Sequence, residues 1–329
     1  MGEAMESDWR PGASLGLLRA RAAIMAQIRG FFAERDVLEV ETPLLSPAGT
    51  TDPQLESFVT RYVGPGAAQG RTLYLHTSPE FAMKRLLASG SGSIYQLCKV
   101  FRQGEAGRRH NPEFTLLEWY RVGWDHCQLM DEVAQLVGSV LGGDYAREAE
   151  RLTYAQAFER YAGIDPHRAS LQMLRDCALG RRIDVGGALE QRDEWLDLLL
   201  THLVEPQLGR GRLTFVYDYP ASQAALARIE PGDPPLARRF ELYCEGVELA
   251  NGFHELGDAA EQAQRFAAER SLRRQRGLHD VPADQHLLAA LEAGLPDCAG
   301  VALGVDRLVM LATGCTSIDQ ALAFSIERT

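Results

Sequence analysis

The chain has 329 residues, of which 46% are hydrophobic and 24% are charged, a balance typical of a globular protein with a sizeable core. Its formal net charge of -11 disfavours a general attraction to nucleic acid, although a local basic patch stays compatible with that charge. The six cysteines lack a Cys-x-x-Cys pair, the first fourteen residues lack a leader-like pattern, and no run of about 18 apolar residues occurs, so we expect a cytoplasmic protein with reduced thiols and no membrane association.

The first elements predicted along the chain are a long helix and a short strand. Apolar residues recur at helical spacing over 17–32, and the pattern stops at the extended run 37–40. Glycines and a proline within 64–70 predict a surface turn, and a strand and then a helix that begins near Ser78 follow it. Further strands are predicted at 95–101 and 114–121.

A helix-rich stretch at 127–204 is predicted to be an insertion that carries no evident chemistry. Strand-like segments return at 213–217, 239–243 and 246–250, with a hairpin turn at Cys244 to Gly246. Three more helices are predicted after them. Strands that come as hairpins, with helices grouped between them, indicate an α+β fold around a mainly antiparallel sheet.

The strongest chemical signal is the block at 101–114, which places Arg102 at a strand end and His110 and Phe114 on the returning strand. A guanidinium group offers a rigid fork of donors to phosphate or carboxylate, and an aromatic ring offers a stacking face. This hairpin is therefore suited to cradle a nucleotide. A surface salt bridge for Arg102 and a core role for Phe114 are the alternatives.

A second block, at 300–308, combines a glycine-punctuated strand with the start of a helix that bears Arg307. Small residues allow a ligand close to the backbone, and a helix N-terminus favours anions. Arg307 is therefore placed to face a terminal phosphate. The glycine spacing alone is weak evidence, because turns and helix packing produce it often.

Three glutamates lie between these blocks, at Glu241, Glu248 and Glu255. The predicted turn would set Glu241 and Glu248 on neighbouring strands, where their oxygens could share a divalent cation. Glu255 has odd spacing from Glu248, so a regular strand would point them to opposite faces unless a bulge at 251–252 intervenes. The alternative is three solvated strand carboxylates.

Taken in order, these blocks resemble the three motifs of class II aminoacyl-tRNA synthetases. Residues 39–43 look like motif 1, the block at 102–114 like motif 2, and 304–307 like motif 3. The residues at 110–114 and 250–255 are similar to those found in the lysyl branch of the family. The resemblance covers nearly the whole chain and implies a class II catalytic core.

The segments 77–80, 117–120 and 215–217 are similar to a truncated branch of that family, the bacterial elongation factor P beta-lysine ligases. The resemblance implies one catalytic domain over 1–329 with no anticodon-binding domain. It also implies adenylation of (R)-beta-lysine with ATP and Mg²⁺, followed by transfer to one lysine side chain of elongation factor P. A homodimer and no stable tRNA binding are expected.

The resemblance also implies a role for each site residue. The catalytic residues would be Arg102 and Arg307. The residues expected to bind ATP are Arg102, Gln103, Gly104, His110, Asn111, Phe114, Glu248, Leu249, Gly304 and Arg307. Those expected to surround the amino acid are Ser78, Pro79, Glu80, Glu118, Tyr120, Glu255 and Ala302. The expected Mg²⁺ ligands are Glu241 and Glu248.

The sequence departs from the family pattern after Arg102, where Gln103 and Gly104 stand in place of an asparagine and a glutamate, and Glu105 comes one position later. Two alternatives stay open: a ligase that activates α-lysine for tRNA or a small molecule, and a catalytically inactive paralogue that binds or regulates. The arginine-rich run at 265–276 is interpreted as a solvated helix face. Arg108 and Arg109 are better candidates for contact with the acceptor.

Overall fold

The computed structural model describes residues 9–187 and 189–329, which form two compact units. Unit 1 comprises residues 9–119, Asp258–Leu295 and Gly304–Thr329, and unit 2 comprises Tyr120–Gly257 and Pro296–Leu303. A single catalytic domain over the whole chain stays a prediction. The expectation that the chain lacks a leader falls partly on residues 1–8, which lie outside the described residues.

The elements of the two units are numbered in chain order. The α-helices are α1 (Leu15–Ala33), α2 (Glu80–Ala88), α3 (His126–Leu141), α4 (Tyr154–Tyr161), α5 (Leu171–Gly180), α6 (Arg192–Leu199), α7 (Ala259–Gln275), α8 (Gln285–Gly294), α9 (Val305–Thr313) and α10 (Ile318–Ala321). The strands are β1 (Leu38–Glu39), β2 (Leu45–Ser46), β3 (Val59–Gly64), β4 (Ala67–Leu75), β5 (Ile94–Phe101), β6 (Glu113–Val122), β7 (Glu150–Thr153), β8 (Thr214–Pro220), β9 (Ile229–Glu230), β10 (Leu236–Cys244), β11 (Val247–His254) and β12 (Cys298–Gly304).

Unit 1 is built around the first helix and the strands that follow it. Ser14 caps α1, because its hydroxyl accepts the amide N–H of Leu17 at 3.2 Å. The buried face of α1 ends in Phe32, which stacks on Tyr95 of β5 at 4.4 Å between ring centroids. Strand β5 pairs in parallel with β1 and neighbours β6, while β4 pairs antiparallel with both β2 and β3. Helix α9 packs on α1, and α2 packs on α8.

Unit 2 contains a sheet in the order β12-β11-β10-β8-β7, with β9 also paired to β10. The pairs are antiparallel except β7 with β8, which is parallel. A buried cluster that includes Tyr154, Phe158, Trp195 and Tyr219 joins the sheet to the helices of the predicted insertion. That stretch holds α3 to α6, as expected, but also β7, whose Leu152 belongs to the same core.

The prediction of an α+β fold with a mainly antiparallel sheet is confirmed in both units. The strands that the sequence did not reveal, β2, β3, β7 and β9, are short or exposed, so they lack the alternating apolar pattern of a half-buried strand. All six cysteines are free. Among the described residues, every helix is too short or too polar to cross a membrane.

The predicted solvated face at 265–276 is wrong for Arg273, and Arg265 is only 16% exposed because it pairs with Glu261. Arg273 has no exposed surface, and its guanidinium group bonds to the chain around Asp52 to Glu56. One turn earlier on α7, the carboxylate of Glu269 accepts a hydrogen bond from the hydroxyl of Thr51, which is also buried. Burial raises the pKa of Glu269 from 4.5 to about 7, and the Thr51 bond only partly offsets this. Helix α7 therefore carries charged groups on its inner face.

We predict that Glu269→Gln makes the fold less sensitive to pH. As the pH rises from 4.5 to 7, the unfolded chain loses the Glu269 proton while the folded chain keeps it, so wild-type stability falls by about 3 kcal/mol and stays lower above pH 7. The glutamine variant lacks this loss and can still accept from Thr51. Urea unfolding at pH 5 and pH 8 measures the effect, with Glu292→Gln on the exposed side of α8 as the control. Equal pH dependence in wild type and Glu269→Gln would contradict the prediction.

Candidate active site

The hairpin between β5 and β6 lies in unit 1 and begins at Arg102. The amide N–H of Arg102 donates to the carbonyl of Pro112 at 2.9 Å, which closes the base of the loop. Gly104 has a φ of +84°, a conformation that favours glycine over a residue with a side chain. The positive φ at this position favours the glycine that this chain has where the family pattern has a glutamate. The carboxylate of Glu105, one residue later, returns to within 3.5 Å of the Arg102 guanidinium.

Arg102 is oriented by several weak contacts, none of which saturates its five donors. Its guanidinium carbon lies 5.0 Å from the centroid of the Phe114 ring, and its Nε donates to the carbonyl of Thr77 at 3.4 Å. The side chain is partly exposed. Arg102 and Phe114 therefore make a cation–π contact that the sequence analysis did not predict, and donors of Arg102 are left for an anion.

Arg307 and His110 come together although 197 residues separate them. The Nη2 of Arg307 donates to the Nε2 of His110 at 2.6 Å, so His110 is the neutral acceptor with its proton on Nδ1. Burial lowers the pKa of His110, and the positive charge of Arg307 lowers it further. The two motif residues thus form a pair whose positive charge belongs to Arg307.

Helix α9, which carries Arg307, begins at Val305 after the N-cap residue Gly304, and the side chain of Asp306 holds its first turn in place. The buried Asp306 carboxylate accepts from Arg21 Nη1 at 2.5 Å and from the Thr115 amide at 2.9 Å. Arg21 also donates to the Thr115 hydroxyl at 2.8 Å. Sequence reasoning treated Asp306 as part of a motif and missed Arg21, which lies in the second turn of α1. A buried carboxylate needs a cationic partner, and a search for that partner could have located Arg21.

Two other expected nucleotide residues are held by backbone groups. The side-chain amide of Asn111 donates to the carbonyl of Glu113 at 2.7 Å and accepts from the Ile326 amide at 2.9 Å. The amide N–H of Gln103 donates to the carbonyl of Glu56 at 2.8 Å. Asn111 therefore shapes the loop, and Gln103 is tied to the segment before β3.

A second group in unit 1 surrounds the start of α2. Ser78 donates through its hydroxyl to Glu118 of β6 at 2.6 Å and accepts the amide N–H of Glu80 at 3.0 Å, while Pro79 caps the helix. The carboxylate of Glu80 lies 2.7 Å from the ammonium of Lys84, which is only 1% exposed. Sequence reasoning missed Lys84, although the spacing of four residues on a predicted helix could have indicated the pair. Glu118 is the buried carboxylate of this group that bonds to a neutral hydroxyl.

In unit 2, the carboxylate of Glu241 accepts hydrogen bonds from three side chains. The hydroxyl groups of Tyr219 and Tyr243 both donate to Oε2, the first at 2.7 Å, and Arg239 donates to Oε1. Burial opposes the charge of Arg239, but Glu241 and, more weakly, Glu248 raise its pKa above the usual value. The three donors hold the Glu241 carboxylate in one orientation, and Glu248 adds to the negative field around Arg239.

Glu248 follows a two-residue turn at Glu245 and Gly246, both with positive φ, which confirms the predicted hairpin. Strand β11 contains the bulge that the glutamate spacing required, but at Leu249 instead of 251–252. Leu242 pairs with Ala250 and Tyr243 with Glu248, so Leu249 is the extra residue. The bulge puts Glu241, Glu248 and Glu255 on one face of the unit 2 sheet.

Gly300 of β12 belongs to the glycine-punctuated block at 300–308, but the sequence analysis gave it no role of its own. A Cβ at this position would lie 2.3 Å from Cε1 of Tyr120 and 2.4 Å from Oε1 of Glu255. Both neighbours are 2% exposed. Ala302, two residues along, stands opposite Asn251 on the same face. The glycine therefore lets a buried tyrosine and a buried carboxylate approach the sheet.

Each of the two units contains groups suited to a different part of the chemistry. In unit 1, Arg102 and Arg307 present donors suited to phosphate, and Ser78 and Glu118 present a polar pair suited to an ammonium group. In unit 2, Glu241 and Glu248 present hard oxygen ligands of the kind that Mg²⁺ prefers. The donors on Glu241 orient its carboxylate and leave lone-pair capacity, so this pair fits the metal.

Comparison with known proteins agrees with this chemistry. Residues 7–328 match the family described as tRNA synthetases class II (D, K and N). A relative from Vibrio vulnificus, named elongation factor P–(R)-beta-lysine ligase, is 55% identical over 321 residues, which cover 97% of this chain and 98% of the relative. Relatives of the same name from Vibrio cholerae and Salmonella paratyphi B are each 54% identical over 323 residues, which cover 98% of this chain and 99% and 98% of theirs. The chain therefore belongs to the class II tRNA synthetase family (D, K and N).

Proposed function

We propose that this protein is an ATP-dependent ligase that converts (R)-beta-lysine to its adenylate and transfers the acyl group to a lysine side chain of elongation factor P, without tRNA. The observation that carries the proposal is the identity of 54–55% to relatives named for that reaction, over nearly the full length of both chains. The arginines and carboxylates that such chemistry requires are present and oriented within each unit.

The first step is adenylation. A carboxylate oxygen of the amino acid attacks the α-phosphorus of ATP, a new P–O bond forms, and the bond to diphosphate breaks. Negative charge grows on the phosphate oxygens, and Arg102 and Arg307 would stabilise it. His110, which stays neutral, would hold Arg307 without competing for the phosphate.

The metal contribution would come through unit 2. Glu241 and Glu248 would hold Mg²⁺, which when bound neutralises phosphate charge as a Lewis acid. The protein supplies the orientation, because Tyr219 and Tyr243 fix the Glu241 carboxylate. Arg239 would keep the two carboxylates compatible when the cation is absent.

The amino-acid substrate carries two ammonium groups, which buried carboxylates would bind. In unit 1, Glu118 is paired with a hydroxyl, whereas the charge of Glu80 is already balanced by Lys84. Both residues lie beside Ser78, and both carboxylates are candidates for an ammonium group. In unit 2, Glu255 would act beside Tyr120, with Gly300 and Ala302 setting the available depth.

The second step is transfer to the acceptor. A deprotonated lysine amine attacks the carbonyl carbon of the adenylate, the new C–N bond forms, and AMP leaves as the C–O bond breaks. The amine loses its second proton to water or to a base. Arg108 and Arg109, on the loop between β5 and β6, would meet an acidic acceptor.

The decisive experiment combines the purified protein, ATP, Mg²⁺, (R)-beta-lysine and unmodified elongation factor P. We expect intact-mass spectrometry to show one added beta-lysyl group, with AMP released. Arg102→Met should abolish the product, whereas Arg61→Met, an exposed arginine of β3, should keep it. An unchanged mass of the factor would refute the proposal, and diphosphate exchange with α-lysine and (R)-beta-lysine in separate reactions identifies the preferred isomer.

Gly300→Ala tests the amino-acid site. The added methyl group forces Tyr120 and Glu255 to move, at a cost of about 1–3 kcal/mol, so KM for (R)-beta-lysine should rise about tenfold or more. KM for ATP should change by less. Gly180→Ala is the control, since a methyl group there meets nothing within 4 Å. A KM for the amino acid equal to that of wild type would show that Gly300 does not limit the site.

We also propose a homodimer built on unit 1. Apolar side chains are exposed along β1 to β3 and the segment before β2, at Leu38, Leu44, Leu45, Val59 and Val63, with exposures of 39–65%. Strand β4 pairs Leu75 with Leu45 and Tyr74 with Val59, so the apolar side chains of Leu45 and Val59 lie on opposite faces of the sheet, and each face is a candidate for contact with a partner subunit. The motif 1 segment at 39–43 lies in this part of the chain.

Light scattering should therefore give twice the chain mass of 36.3 kDa at micromolar concentration. Val63→Asp places a charge on the apolar surface and should shift the protein toward monomer. Leu179→Asp changes an equally apolar, 54% exposed residue on α5 and should leave the mass unchanged. A monomer mass for the wild-type protein would contradict the dimer.

A further inference from the structure

The segment at 49–57, which joins β2 to β3, reaches the loop that carries Arg102. The carbonyl of Glu56 accepts the amide N–H of Gln103 at 2.8 Å. Gln103 is the residue next to Arg102, so the position of Glu56 constrains the backbone at the start of this loop. Within the segment, Thr51 and Ser57 are 1% and 2% exposed. The segment is therefore packed against other parts of the protein, and its position depends on the side chains that contact it.

Arg273 of α7 provides most of that placement. Its Nη1 donates to the carbonyls of Asp52 and Leu55 at 2.9 and 3.0 Å, its Nη2 donates to the Glu56 carboxylate at 2.6 Å, and its Nε donates to the carbonyl of His279 at 2.8 Å. The guanidinium has no exposed surface. Every one of its three nitrogens is thus used, and three of the four bonds go to the segment at 52–56.

The energetics of burial make this contact specific. A buried guanidinium is tolerated when its charge is paired and its donors are used, and Glu56 supplies the counter-charge. Two backbone carbonyls and one carboxylate of the segment lie in the positions that the planar fork of an arginine can reach together. A lysine ammonium is a point donor and cannot reproduce the same set of bonds. The contact therefore requires arginine, and not positive charge alone.

Glu269, one turn earlier on the same helix, holds the other end of the segment. Its carboxylate accepts from the Thr51 hydroxyl, so α7 grips the segment at Thr51 and again at 52–56. The neighbouring arginines of α7 behave differently, because Arg270 and Arg274 pair with Asp280 on the exposed side. These contacts with the segment are made by residues on the inner face of α7, Glu269 and Arg273.

We propose that Arg273 is a positioning residue for the adenylation step, acting through Glu56 and Gln103 on Arg102. Helix α7 holds the segment at 52–56, the Glu56 carbonyl holds the Gln103 amide, and the loop then presents the Arg102 guanidinium for phosphate. Arg273 itself touches neither substrate. The inference rests on the proposed function only for the part that concerns ATP.

The test uses Arg273→Lys and Glu56→Gln in the full chain, with Arg274→Met as the matched control. Glu56→Gln removes the ion pair but keeps the backbone carbonyl that Gln103 needs, and its side chain is partly exposed. Hydrogen–deuterium exchange without substrates should show faster exchange at 51–56 and at Gln103 in Arg273→Lys, a smaller change in Glu56→Gln, and none in Arg274→Met. Circular dichroism confirms that each variant is folded.

Diphosphate exchange supplies the second readout. KM for ATP should rise about tenfold in Arg273→Lys and less in Glu56→Gln, with KM for the amino acid within twofold of wild type, because about 1.4 kcal/mol of lost orientation corresponds to tenfold. Wild-type exchange at Gln103 and wild-type KM for ATP in a folded Arg273→Lys would overturn the proposal. If the wild-type protein shows no exchange activity, the proposed function fails, while the deuterium measurement still decides whether Arg273 holds the loop.

Discussion

The buried carboxylate of Asp306 is the interaction on which the arrangement of unit 1 depends. It lies at the start of α9, accepts from Arg21 of α1, and accepts the backbone amide of Thr115 on β6. One charge thus joins the helix that precedes motif 1, the strand of motif 2 and the helix of motif 3. An isolated buried charge would cost several kcal/mol. Moving any one of these three elements away would leave the Asp306 carboxylate without a partner, so the contact holds all three in place. Arg307, the next residue, inherits its position from this contact.

The same rule governs the other buried charges. Lys84 is paired with Glu80, Glu241 receives two tyrosines and Arg239, and Arg273 uses all of its nitrogens on neighbouring acceptors. Charges at the candidate site are therefore oriented before any ligand arrives. Preorganised groups stabilise developing charge without first having to be ordered, which is the condition for efficient electrostatic catalysis. Arg102, held by weak contacts and partly exposed, is the group with most capacity for a new anion.

The sequence predicted α1 to α9, the long strands, the hairpin turn and the order of the motifs, because these features depend on local periodicity and on short-range residue choices. The four-residue helix α10 was not predicted. The sequence did not reveal Arg273, which belongs to a run of arginines in which Arg270 and Arg274 pair with Asp280 at the surface. Whether an arginine of such a helix is buried depends on acceptors 217 to 221 positions away in the chain. Gly300 was missed for a related reason, since the need for a glycine arises from Tyr120 and Glu255. Long-range contacts of this kind leave no local pattern.

The glutamates show how a local irregularity can decide chemistry. Along a regular strand, Glu248 and Glu255 would point to opposite faces, because seven residues separate them. The extra residue at Leu249 shifts the alternation once, and the pairing of Glu241 with Asn251 then places all three carboxylates on the same face. The bulge also leaves Leu249 buried at 2% exposure, so an apolar side chain anchors the irregularity. Glu241, Glu248 and Glu255 therefore share one face because of a single extra residue, and removing that residue would turn the Glu248 side chain to the opposite face of the sheet.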